Sequence, residues 1–107
     1  MNGGKKIYME TSGNVIEKSK VKVKKPNLYK VMMHNDDYTT MEFVLSVLIS
    51  IFNKEVAEAN KIMMDVHERG IGIAGIYPYD IAATKVKKAM NLAKEEGFPF
   101  KLTIEEE

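Results

Sequence analysis

The 107-residue chain contains no cysteine. That absence excludes a disulfide framework, a thiolate metal site and a cysteine nucleophile. Long apolar runs are missing too: nothing approaches the roughly 18–20 residues that span a bilayer, and the amino terminus lacks a signal-peptide h-region. A cytoplasmic protein with no membrane contact is therefore expected. No internal repeat or low-complexity tract interrupts the chain, and this length gives room for one domain with one core. Apolar residues make up 45% and charged residues 29%, both ordinary for a globular domain.

Charge is nearly balanced overall but unevenly placed. Residues 1–25 hold seven Lys and two Glu, a local +5, and the remainder is acidic at −4. A basic arm on an acidic domain suits nucleic acid. The plainer reading is a solvated, flexible tail without nucleic acid. The arm contains no Arg and only one aromatic, Tyr8, so base stacking has little to use. Its Lys, Gly, Ser, Asn and Glu show no sustained period, and Pro26 marks the expected boundary between a flexible extension (1–25) and a folded domain (26–107).

Within the folded part, Leu28 to Met33 is β-branched, aromatic and Met-rich, which predicts a strand ending at Asn35-Asp36-Asp37. Thr39 with Glu42 three residues later predicts a capping box. The following helix, to about Phe52, is apolar on nearly every side and must be buried. Asn53 is a plausible cap for a second helix carrying Val56, Ala59, Ile62, Met63 and Val66 at helical spacing, with Gly70 closing it. Ile71 to Tyr77 alternates large and small residues as a close-packed strand. Pro78 and Asp80 open a third helix with Ile81, Ala82, Val86, Ala89, Met90 and Ala93 on its inner stripe, ended by Gly97. Phe100, Leu102 and Ile104 alternate with polar residues in a last strand. The order β-α-α-β-α-β predicts an α+β domain: a three-stranded antiparallel sheet packed with three helices.

The densest chemistry lies at Asn35-Asp36-Asp37 and in the greasy helix start beyond it. Asn and Asp runs commonly make Asx-turns, a purely structural role. A calcium loop is excluded by the lack of alternating ligands, a central Gly and a distal Glu. No Ser, Cys or Lys nucleophile is tied to the acids by spacing, so catalysis has no support. His67 near a helix end can simply oppose the helix dipole. Zinc on His34, His67 and the acids lacks a His-x-x-x-His pattern. Met41, Met63 and Met64 are ordinary core filler, yet Met also lines pockets that accept several apolar side chains. The Lys85-Val86-Lys87-Lys88 cluster is a solvated helix face or a surface for a partner. Acceptors beside apolar side chains suit a charged, partly hydrophobic ligand.

Asn35-Asp36-Asp37-Tyr38-Thr39-x-Met41-Glu42-Phe43-Val44, followed by Val66-His67 and Thr84-Lys85-Val86, resembles the ClpS family. These are bacterial adaptors that deliver substrates with destabilising amino-terminal residues to a Clp AAA+ protease. The resemblance runs from about Pro26 to Glu107. It implies a non-enzymatic, monomeric adaptor without metal or cofactor, whose partners are N-degron substrates and the amino-terminal domain of a Clp ATPase. On this resemblance Asn35, Asp36 and His67 hold the ligand's α-amino group, and Asp37 and Thr39 position the peptide backbone. Met41 forms a gate, and Val44, Met63 and Val66 line the pocket, with Phe100 as a wall bulkier than the family's usual Leu. Asp80 and Lys85 face the ATPase, and the arm, with an r.m.s. reach of about 25–30 Å, serves as a handle. Relatives commonly carry Pro where this chain has Thr40 and an aliphatic residue where it has His34.

An α-ammonium offers one charge and three donors, whereas an internal peptide N–H offers one donor and no charge. Acceptors at fixed positions therefore single out a free amino terminus. Burying a Leu or Phe side chain beside them adds about 1.5–3 kcal/mol. To accept from the ammonium, His67 must be a neutral imidazole, so affinity is expected to fall below about pH 6.5, the reference histidine value.

Overall fold

The computed structural model describes residues 25–107 together with Lys5–Lys6 and Lys20–Val21, which pair as a two-residue antiparallel ladder. Apart from these four residues and Lys25, the expected extension over residues 1–25 lies outside the described residues. The domain runs β1 (Leu28–His34), α1 (Met41–Ser50), α2 (Val56–Arg69), β2 (Ile71–Pro78), α3 (Tyr79–Glu96) and β3 (Lys101–Glu106). The strands form one antiparallel sheet in the order β2-β1-β3. This is the α+β architecture the periodicities predict. Among the described residues no helix is long and apolar enough to cross a membrane.

Period-two alternation in β1 turns Val31 and Met33 inward, where both are fully buried. They join a core built from Val44, Val47 and Leu48 of α1, Ala59, Ile62 and Val66 of α2, and Ala82, Ala89 and Ala93 of α3. The contact stripe of α3 is thus alanine, which lets the helix lie close to the sheet. Ile81 and Met90, expected on that stripe, are exposed instead, so the buried face is narrower than the pattern suggests. In β2 the register slips between Val31↔Gly75 and Met32↔Ile73, leaving Ala74 as the extra residue of a bulge. Ala74 and Gly75 are consequently both buried while Ile73 and Ile76 both stay exposed. Gly72 permits a close approach of β2 to α2: a Cβ there would stand 2.8 Å from Val66 Cγ2 and 3.2 Å from the Ile62 carbonyl.

Two caps differ from expectation. Thr40, not Thr39, caps α1, its Oγ1 accepting from the Phe43 amide at 3.1 Å. The Thr39–Glu42 capping box does not form, because the Thr39 hydroxyl is turned to Asp36. Asn53 does not cap α2 either. The residue preceding that helix is Glu55, with no side-chain cap, and Asn53 holds φ 55° in the left-handed region. Gly70 closes α2 as expected with φ 88°, a conformation that costs glycine no Cβ clash, and its amide bonds the Val66 carbonyl at 3.0 Å.

Candidate functional site

The end of β1 and the end of α2 are stapled together. The Asn35 amide donates to the Gly70 carbonyl at 2.9 Å, so the Asn-Asp-Asp turn lies against the last turn of α2, the turn that carries His67. Beyond Asn35 the Asp36 carboxylate organises the chain. Its Oδ1 accepts from the Tyr38 amide (2.8 Å) and the Thr39 amide (2.7 Å), and its Oδ2 accepts from the Thr39 hydroxyl (2.7 Å). The Asx-turn reading is therefore correct, and it does not exhaust the carboxylate. An ionised carboxyl presents about four acceptor sites, and three are filled. Burial works to raise the Asp36 pKa, but the bonds from Thr39 and Tyr38 outweigh it and hold the carboxyl below its ordinary value of 3.8.

Below this turn lies a cavity of about 280 Å³ lined by Asn35, Asp36, Asp37, Thr39, Met41, Val44, Met63, Val66 and His67. Spacing explains the lining. Met41 and Val44 are three apart on α1, while Met63, Val66 and His67 are at i, i+3 and i+4 on α2, so each set shares a helix face. Val44 and Val66 are buried, and Met41 is 42% exposed at the rim. A volume slightly under the roughly 300–1,000 Å³ of small-molecule pockets suits one side chain with a charged group at its mouth.

Nine of the sequence-predicted residues thus converge, and three stand elsewhere. Phe100 is not among the lining residues: it is buried and meets the Phe43 ring edge-on at 5.7 Å between centroids. Asp80 lies in the first turn of α3, its carboxylate accepting from the Ile81 amide at 3.0 Å. Lys85 Nζ donates to the Ile51 carbonyl (2.7 Å) and to Asn53 Oδ1 (3.1 Å) and lies 5.3 Å from the Tyr77 ring centroid. Asn53 is the residue sequence reasoning misplaced, and the only signal for its actual role is an Asn between two helices. His34 sits in the sheet, its Nε2 2.7 Å from Thr103 Oγ1 across β1 and β3.

A larger groove, about 630 Å³, runs along the free edge of β2 beside α2. It holds none of the predicted residues. Charges on this side pair four residues apart, Lys54 just before α2 with Glu58, and Asp65 with Lys61 and Arg69 within the helix, all at 3.9–4.0 Å. Size favours that groove and chemistry favours the smaller cavity, where free acceptors face apolar walls. Among the described residues no cluster of three or more His, Asp or Glu side chains could hold a metal.

Residues 24–103 match the model of the family described as the ATP-dependent Clp protease adaptor protein ClpS. The chain belongs to the ClpS family. It is 57% identical over 100 residues to the ATP-dependent Clp protease adapter protein ClpS of Clostridium acetobutylicum, covering 94% of this chain and 99% of that protein. The corresponding protein of Desulfatibacillum aliphaticivorans is 47% identical over 98 residues, covering 92% and 94% of the two chains. Among solved structures, Agrobacterium tumefaciens ClpS2 bound to L-phenylalaninamide superposes with a TM-score of 0.74 at 44% identity, covering 78% of this chain and 100% of that one. Phenylalaninamide presents a free α-amino group, a benzyl side chain and a carboxamide in place of the first peptide bond.

Proposed function

We propose that this ClpS-family chain is a non-enzymatic adaptor. It captures proteins by an exposed bulky hydrophobic amino-terminal residue (Phe, Leu, Tyr or Trp) and delivers them to a cytoplasmic Clp AAA+ ATPase-protease. The observation that carries this reading is the placement of Asn35, Asp36 and His67 on the same cavity as Met41, Val44, Met63 and Val66. One end answers an ammonium and the other a side chain. No Ser, Cys or Lys lines that cavity.

In this reading Asn35 and Asp36 accept from the α-ammonium, and His67 accepts as a neutral imidazole. Asp37 and Thr39 lie where the first peptide group leaves the cavity and position it. Val44, Met63 and Val66 hold the first side chain, and Met41 disfavours β-branching at the rim. Asp80 and Lys85 meet the ATPase's amino-terminal domain. Of the three N–H donors on Lys85, two are used internally and one is left for that partner. Residues 1–25 supply the handle that the ATPase engages. Family membership gives the nucleic-acid alternative no support.

Fluorescence anisotropy with two Phe-initiated peptides, one acetylated at its amino terminus, tests this. Binding of the free amine with none of the acetylated form is expected. Equal binding of both overturns the ammonium clamp.

A further inference from the structure

We infer that Met41 is a redox modification site: oxygen transfer from a peroxide to its thioether sulfur disables capture of hydrophobic amino termini. The inference rests on the adaptor reading and adds a regulatory chemistry to the same cavity. With no cysteine in the chain, an arriving peroxide meets no thiol before it meets methionine. Six of the eight methionines lie in described residues, and they differ sharply in access. Met33 is fully buried, whereas Met41, Met90 and Met64 are 42%, 39% and 37% exposed. Only Met41 among these exposed three lines the cavity. The side chain that an oxidant reaches readily is thus also one that the ligand must pack against.

The chemistry is balanced. The Met41 sulfur lone pair attacks one oxygen of hydrogen peroxide, the O–O bond breaks, and the departing hydroxide takes the proton released by the transferred oxygen and leaves as water. Sulfur loses two electrons and becomes a sulfoxide. A dithiol-dependent methionine sulfoxide reductase reverses the step, yielding the thioether, a disulfide and water. The product places a strongly polar S=O beside the apolar walls formed by Val44, Met63 and Val66. Entry of a Phe or Leu side chain strips water from that oxygen without supplying a donor, which costs binding. The thioether's adaptability, which lets methionine accommodate several side chains, is lost with it.

The test treats the full chain with hydrogen peroxide and maps the added oxygen on each methionine by mass spectrometry. Affinity for a Phe-initiated peptide is followed in parallel by anisotropy. Met41 should oxidise well ahead of Met33, affinity should fall about tenfold or more in proportion to Met41 sulfoxide, and the reductase should restore it. Whatever affinity Met41→Leu starts from, the same treatment should move it less than twofold. Unchanged affinity with Met41 fully oxidised overturns the inference, as does an equal loss in Met41→Leu, which puts the effect elsewhere. A chain that fails to bind the peptide before any oxidant is added instead overturns the adaptor reading.

Discussion

Thr39 supplies two of the three hydrogen bonds that hold the Asp36 carboxylate, one from its amide and one from its hydroxyl, each 2.7 Å long. The carboxylate proposed to meet the ligand's ammonium is therefore aimed by a residue three positions on. Thr39→Val keeps the amide bond and the side-chain shape but deletes the hydroxyl. Hydrogen bonds to charged groups contribute about 1.5–3 kcal/mol, so affinity for a Phe-initiated peptide should drop roughly 10- to 100-fold. Thr39→Ser should recover most of it. Calorimetric titration of the three proteins decides, and a Val variant that binds as tightly as the parent would remove the aiming role.

Asp36 also predicts a direction with pH. Burial acts to raise its pKa and three hydrogen bonds act to lower it, and the bonds prevail over the ordinary 3.8. A carboxyl depressed by folding stabilises the native state fully above its unfolded value and loses that contribution as pH falls through the folded one. Asp36→Asn should thus be less stable than the parent at pH 7 and pH 5, with the gap closing toward pH 3. Urea denaturation at those three values checks it, and a gap that widens on acidification contradicts it. Because the carboxylate remains ionised from pH 5 to 8, Asp36 itself should contribute no change in peptide affinity across that range.

The link between Lys85 and Asn53 makes a third prediction. Asn53 holds φ 55° and its Oδ1 accepts from the Lys85 ammonium at 3.1 Å. Ala at this position pays both the left-handed penalty, about 1–2 kcal/mol, and the lost bond of about 1 kcal/mol, whereas Gly pays only the second. Asn53→Ala should therefore be the less stable of the two in urea, by about 1 kcal/mol or more, with peptide affinity unchanged in both. Equal stabilities would mean that the backbone conformation costs nothing here.

What could be read beforehand follows from where the determinants lie. Strands and helices were legible because Val31 and Met33, or Ala82, Ala89 and Ala93, repeat with the period of their element. The cavity was legible through a motif resemblance, since nothing in spacing alone brings His67 to Asp36. What brings them together is a backbone bond, the Asn35 amide to the Gly70 carbonyl, and backbone groups leave no signature in side-chain identity. The caps failed for a different reason. Adjacent threonines can each cap a helix, and the choice of Thr40 depends on Asp36 having claimed the Thr39 hydroxyl. Phe100 followed the family's pocket by analogy, yet its ring packs on Phe43 in the core, a partnership that needs the third dimension.

Gly72 couples fold to ligand most directly. A Cβ at this position would stand 2.8 Å from Val66 Cγ2, closer than real contacts allow, and 3.2 Å from the carbonyl of Ile62. The carbonyl belongs to α2 and cannot yield alone, so relief has to come from Val66 or from the helix as a whole. Overpacking of this kind costs about 1–3 kcal/mol, and Gly72→Ala should lower the urea midpoint accordingly. Val66 is also a wall of the cavity, so the displaced side chain is pressed toward the space a ligand occupies. Affinity should fall more for a Trp-initiated peptide than for a Leu-initiated one, because the larger side chain tolerates less narrowing. Titrating both peptides against both proteins measures the ratio. A uniform loss would mean that α2 moves as a unit and carries His67 with it, whereas a loss confined to Trp places the strain on Val66 alone.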